Sequence, residues 1–299
     1  MATNETQTAT IQPRPLWQRA VFRMLRLVLI IYVVAILVFA SLQSKLIFDG
    51  AKSQGSPEAM FTPPGNMELV NLTAEDGTTI AALFARSHQS QSVPTIIFFY
   101  GNAMCLKDTL QDVRMFRDLG ANVMAVEYAG YGLSGGTASE AGCYLAAETA
   151  YQWLLKRDDI DTTKIIPAGW SLGGAVAVDL AKRHAGEGRV CGLIILSTFT
   201  SLTDVGRTFY PFLPVSLILR HKFDSLAKIG GVGVPVFIGH GRYDVIAPFK
   251  MADQLAEAAE KAGLRVTRLT LDDTSHNDFF DVGQDRIEAA LEKFLRELK

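Results

Sequence analysis

The stretch that decides the fold reads Ile165-Ile166-Pro167-Ala168-Gly169-Trp170-Ser171-Leu172-Gly173-Gly174, and a helical pattern over residues 175–184 follows at once. An apolar run suited to a buried strand ends in a serine flanked by glycines. Between strand and helix, G-x-S-x-G is the sharp turn that lifts a serine hydroxyl above an α/β sheet. Its glycines make room for a strained serine backbone and for close approach of helix to strand. The helix N-terminus behind Ser171 brings free N–H groups and partial positive charge to the place where an oxyanion would form.

Outward from this turn the chain alternates between strand and helix patterns. Residues 67–73 and 79–85 read as strands joined through Asp76-Gly77, a hairpin signal. Continuous apolar runs at 95–100, 122–127, 192–196 and 234–239 suit strands buried on both faces, and 265–271 reads as the last strand. Helical spacing marks 106–119, 139–156, 249–262 and 280–298. The alternation predicts a doubly wound, mostly parallel sheet led by an antiparallel hairpin, in one domain from about residue 46 to 299. Residues 197–232 are mixed, with several aromatics and prolines, and read as a short cap too small to form a large lid.

A second G-x-S-x-G, Gly132-Leu133-Ser134-Gly135-Gly136, lies in a loop that also reads G-x-G-x-x-G from Gly130. No helix begins at Ser134, so it is not a nucleophile turn. A dinucleotide site would place such glycines in the first strand–helix unit, whereas these follow the fourth strand.

A serine needs a base to take its proton and an acid to orient that base. On this kind of sheet the partners follow the serine in the order acid, then histidine. Of five histidines, His276 stands just past the last strand, at the carboxyl edge where such sheets expose reactive groups. His88 and His184 read as solvated, His221 as part of a surface charge cluster with Arg220 and Lys222, and His240 as a packed supporting residue. Asp244, in the loop after the strand at 234–239, is the acid that would hold the His276 tautomer. Asp204, Asp224 and Asp278 follow no strand directly, and Asp278 reads as a cap of the last helix. The Leu172 amide and the Asn102 amide, with Ala103 as alternative to the latter, are the candidate oxyanion donors.

Composition narrows the function. A formal net charge of −2 with 20% charged residues excludes the basic face that nucleic-acid binding requires. Cys105, Cys143 and Cys191 are odd in number and lack C-x-x-C spacing, which points to packed thiols rather than a disulfide framework or zinc site. Residues 1–20 read as a polar cytoplasmic tail and 21–42 as a transmembrane helix with Trp17 at its interface. Arg14, Arg19, Arg23 and Arg26 precede the apolar core without an acid among them, whereas Lys45 and Lys52 beyond it are diluted by Asp49 and Glu58. That bias puts the N-terminus in the cytoplasm and the domain across the membrane. The long segment ahead of the apolar stretch favours an uncleaved anchor over a cleaved signal peptide.

With these residues placed, the sequence resembles the α/β-hydrolase superfamily, and within it the membrane-anchored serine hydrolases of the Bem46 and ABHD13 type. The resemblance rests on Gly101-Asn102-Ala103, the loop from Glu127 to Gly135, Gly169 to Gly174, Asp244, and Ser275-His276-Asn277-Asp278. Lys45-Leu46-Ile47-Phe48 and Ser197 to Leu202 look alike too. Tyr100 departs from the histidine usual before the oxyanion glycine, and Glu127 from the usual aspartate. The resemblance implies a single-pass, membrane-anchored esterase or thioesterase that uses Ser171, Asp244 and His276 without metal or cofactor. Its partner would be a small-molecule or lipid-like acyl substrate. Amide hydrolysis by the same residues, or a silent tethered interaction module, are the rival readings.

Overall fold

The computed structural model describes residues 15–89 and 92–298. After Pro15 the first helix, α1 (Leu16–Ile47), runs 32 residues without an internal glycine or proline to break it. At 1.5 Å per residue that is about 48 Å, and its most apolar window has mean hydropathy 2.7. It is the one described helix long and apolar enough to cross a membrane. Residues 16–20, expected in the tail, are helical because nothing after Pro15 interrupts the pattern; residues 1–14, with Arg14, lie outside the described residues.

The chain divides into one unit ending at Leu42 and a second beginning at Gln43. The last turn of α1 therefore belongs to the second unit, three residues ahead of the expected domain start. Its Gln43 side chain donates to the Ile218 carbonyl at 3.1 Å and accepts the Arg220 N–H at 2.7 Å.

The second unit is built on an eight-stranded sheet in the order β1-β2-β4-β3-β5-β6-β7-β8. The leading strands β1 (Glu68–Thr73) and β2 (Thr79–Ala85) form the expected hairpin, and β2 pairs antiparallel with β4 (Asn122–Val126). All later pairings are parallel: β3 (Thr95–Phe99), β5 (Ile165–Trp170), β6 (Leu193–Leu196), β7 (Val236–Gly241) and β8 (Val266–Leu271). Helices α2 (Leu110–Asp118), α3 (Glu140–Leu155), α4 (Leu172–Arg183), α8 (Lys250–Lys261) and α9 (Phe279–Glu297) cover the two faces. The cap carries three short ones, α5 (Leu202–Phe209), α6 (Val215–Ile218) and α7 (Leu226–Ile229).

The reason the continuous apolar runs became central strands is visible in their burial. Ile96, Ile97, Phe98 and Phe99 of β3 and Leu193 to Leu196 of β6 are all buried, each large side chain contributing about 1.5–3 kcal/mol. Edge strand β1 buries only Leu72, its other residues being exposed or half-buried. Parallel register then decides where the loops meet. Trp170 pairs with Leu196, Leu196 with Gly239, and Gly241 with Leu271, so the segments after β5, β7 and β8 emerge at one edge.

Candidate active site

At that edge Ser171 has φ 54° and ψ −117°, a left-handed conformation that costs a non-glycine residue about 1–3 kcal/mol. The surroundings hold it there. Its N–H donates to Leu196 O at 2.8 Å, and its carbonyl accepts from Gly174 N at 3.1 Å and from Thr198 Oγ1 at 3.0 Å. Side chains at the flanking glycines are excluded: a Cβ on Gly169 would lie 2.1 Å from Gly173 O, and one on Gly173 would lie 1.9 Å from Phe99 O. The glycine pattern read from the sequence is thus a packing requirement of α4 against β5 and β3.

The structure brings Ser171, His276 and Asp244 together. His276 Nε2 lies 2.9 Å from Ser171 Oγ, and its Nδ1 lies 2.7 Å from Asp244 Oδ2. Asp244 is buried and accepts four donors. Oδ1 takes the N–H groups of Ile246 and Ala247 at 2.9 and 2.7 Å; Oδ2 takes His276 and, at 3.2 Å, His240 Nε2. Burial alone would push this carboxyl up, but the hydrogen bonds from His240 and His276 outweigh it and hold it at about 2. An ionised acid that only accepts demands Nδ1–H on His276, which leaves Nε2 free to accept the serine proton. His240 Nε2 also sits 2.7 Å from Ala247 O, so that nitrogen carries its proton too. His240 thereby supports Asp244, as its packed position suggested. The indole of Trp170 lies against the His276 ring at 5.3 Å between centroids and limits its swing.

Among the described residues, neither the Leu172 N–H nor the Asn102 N–H has a hydrogen-bond acceptor, and the same holds for Ala103. Leu172 opens α4, where such donors are unpaired by geometry. The Asn102 turn follows β3, closed by Met104 N–H on Gly101 O at 3.3 Å. Gly101 sits against the Trp170 indole, 2.5 Å from where a Cβ would reach it.

The two departures from the resembled family prove to be partners. The buried Tyr100 hydroxyl donates to Glu127, whose carboxylate also takes Leu106 N–H at 2.9 Å and Leu133 N–H at 3.1 Å. Burial pushes the Glu127 carboxyl up, against the pull of these donors. The pair ties the end of β3 to the loop after β4. Ser134, in the second G-x-S-x-G, is buried in that loop, accepting Ala81 N–H at 2.9 Å and donating to Glu127 O at 3.2 Å.

Two histidine expectations need correction. His184 is buried, not solvated: its ring stacks on Tyr151 at 3.9 Å and contacts Glu148 at 2.9 Å and Glu187 at 3.0 Å. Glu148 and Tyr151 reach it from α3, which sequence proximity does not reveal. His221 is half-buried rather than part of an open charge cluster, with Nε2 at 3.1 Å from Ser44 Oγ and Nδ1 accepting Glu140 N–H at 3.3 Å. Asp278 does precede α9, but its carboxylate reaches back to Ser275 N–H at 2.6 Å instead of capping the helix. Cys105 and Cys143 are buried and Cys191 half-buried, all unpaired.

No protein-family model matches the sequence. The protein Bem46 of Schizosaccharomyces pombe is 35% identical over 217 residues, 69% of this chain and 71% of Bem46. The chain belongs to the Bem46 family of α/β hydrolases. A second relative, the Arabidopsis thaliana α/β-hydrolase domain-containing protein WAV2, is 31% identical over 250 residues, covering 77% of this chain and 80% of that protein. The fold recurs in the Pyrococcus furiosus esterase Pf2001, with TM-score 0.67 at 18% identity over 80% of this chain and 94% of the esterase. The Bem46-family assignment fits the Ser171 turn and the Asp244 and His276 loops, which occupy the sheet edge where α/β hydrolases hold their reactive groups.

Proposed function

We propose that this chain is a membrane-anchored serine hydrolase that cleaves carboxylic esters or thioesters. The reading is carried by one observation: Ser171 Oγ lies 2.9 Å from His276 Nε2, whose other nitrogen lies 2.7 Å from the buried Asp244 carboxylate. Ser171 Oγ attacks the acyl carbon while its proton passes to His276 Nε2, and the Leu172 and Asn102 amides hold the oxyanion. The departing alkoxide or thiolate takes the proton from His276, leaving the acyl group on Ser171. Water then attacks the acyl-enzyme, gives its proton to His276, and the acid leaves as Ser171 recovers its hydrogen.

The substrate class follows from location and surface. The helix α1 supports an anchor, and Arg19, Arg23 and Arg26 at its start support a cytoplasmic N-terminus with the domain on the far side. Tyr243 and Val245 flank Asp244 and are exposed, as are Phe209 and Leu217 of the cap. These apolar groups suit lipid or acylated substrates. The Pyrococcus protein that shares the fold is an esterase, which accords with ester chemistry on this scaffold.

The test is fluorophosphonate labelling of the folded protein with mass-spectrometric mapping. The label is expected on Ser171; label on Ser134, or none, overturns the site. A panel of esters, thioesters and aminoacyl amides decides the bond cleaved, and activity confined to the amides would sink the ester reading. Protease digestion of sealed vesicles tests orientation, since cleavage beyond residue 45 from the cytoplasmic side contradicts it.

A further inference from the structure

The segment that follows α1 is bonded directly to the candidate oxyanion loop. Asp49–Ser53 forms a 3-10 turn. The Asp49 N–H donates to Asn102 Oδ1 at 3.0 Å, and the Gly50 N–H donates to the Asn102 carbonyl at 3.1 Å. Tyr131 hydroxyl donates to the same Asn102 Oδ1 at 3.0 Å. The approach at Gly50 leaves no room for a side chain: a Cβ would lie 2.4 Å from Asn102 O and 2.7 Å from Met104 O. Ser53 Oγ donates to Gly50 O at 2.6 Å and accepts Gly132 N–H at 2.9 Å. Gln54 Nε2 donates to Ser134 O at 3.0 Å and to Gly136 O at 3.1 Å. The strap thereby joins the loop after β3 to the loop after β4.

Peptide planarity turns these bonds into a statement about direction. A carbonyl and the N–H of the next residue lie in one plane and point opposite ways. The bond from Gly50 to Asn102 O therefore sets where the Ala103 N–H points. The Met104 bond to Gly101 O likewise sets the Asn102 N–H. The grip of Asp49 and Tyr131 on the Asn102 side chain fixes the Cα between the two planes. None of these contacts consumes the candidate donors.

We propose that the strap from Asp49 to Gln54 is a positioning element for the oxyanion donors, acting through Gly50 on Asn102, so that the segment leaving α1 sets the turnover of the site. The proposal rests on the hydrolase reading given above. An oxyanion exists only on the reaction path, so misaligned donors lower kcat while leaving substrate binding intact.

The test uses the full chain in detergent, a 4-nitrophenyl ester, and an aryl trifluoromethyl ketone that adds to the serine as a transition-state analogue. Removing an oxyanion donor costs about 10²–10³ in kcat. Displacing one in Gly50→Ala is expected to lower kcat about ten- to hundredfold with KM within about threefold. Affinity for the ketone should fall by the factor lost from kcat/KM. Asn102→Ala, which keeps the amide but removes its side-chain grip, should behave alike, and the double variant should be no worse than the poorer single one. A folded Gly50→Ala protein with kcat within threefold of the parent, a loss borne by KM, or additive singles would overturn the strap. If Gly50→Ala lacks a cooperative melt, Asn102→Ala decides by the same criteria. A parent protein that neither labels at Ser171 nor hydrolyses the ester defeats both readings. A labelled, active parent with indifferent variants defeats the strap alone.

Discussion

Asp244→Asn removes the charge from the proposed orienting acid with almost no change in shape. The carboxylate accepts two backbone N–H groups on Oδ1 and two histidine N–H groups on Oδ2. An amide can accept on one side only. The backbone donors at 2.9 and 2.7 Å cannot give up their protons, so the amide oxygen must face them and the NH₂ must face the histidines. His240 keeps Ala247 O as an acceptor at 2.7 Å. His276 has no such alternative: Nδ1 must become the acceptor, and its proton moves to Nε2, facing Ser171 Oγ. The ring then cannot take the serine proton. Such a tautomer reversal in a serine–histidine–aspartate site costs about 10⁴ in kcat, equivalent to about 5 kcal/mol at 1.36 kcal/mol per tenfold. Ester hydrolysis under saturating substrate, with thermal melting as a check on folding, measures it. A folded Asp244→Asn protein that keeps more than a tenth of parental kcat would refute the orienting role and the proton assignment together.

Three further outcomes follow from the same geometry. Asp244 is held at about 2 when folded, against about 3.9 unfolded, so its contribution of about 2.6 kcal/mol is present above pH 4 and lost as pH falls through 2. Urea unfolding at pH 6 and pH 3 should show the parent losing more stability than Asp244→Asn, and equal losses would contradict the depressed value. Tyr100→Phe strips a donor from the buried Glu127 carboxylate and should cost about 1–3 kcal/mol in denaturant titration; an unchanged midpoint would show that the pair is dispensable. Gly173→Ala, two residues after Ser171, and Gly135→Ala, directly after Ser134, should differ sharply. The first would place a Cβ 1.9 Å from a backbone carbonyl, and the second nothing nearer than 3.6 Å. Loss of cooperative folding is expected in the first and a change under about 1 kcal/mol in the second, with comparable melts counting against the packing argument.

Much of this protein is written locally in its sequence. The strands follow from apolar runs that suit a sheet buried on both faces, and the turn at Ser171 from glycines without which helix and strand collide. The placement of Asp244 and His276 follows because loops after parallel strands must emerge at one edge. Even the false motif at Ser134 is distinguishable, since no helix starts there. Other features depend on contacts between residues far apart in the chain. His184 is buried because Glu148 and Tyr151 meet it from another helix, and nothing around position 184 announces that. Tyr100 and Glu127 look like separate oddities until the sheet sets one against the other. The first residues of the domain begin inside α1 because Gln43 bonds to Ile218 and Arg220, more than 170 positions later. Gly50, unremarked in the sequence, is pressed against Asn102 only because the chain leaving α1 crosses the end of β3. Sequence alone determined the sheet and the order of Ser171, Asp244 and His276, because periodicity and steric limits act over a few neighbouring residues. Only the tertiary structure decided what holds those groups in place, because that support consists of hydrogen bonds and close contacts whose partners meet only once the sheet is assembled.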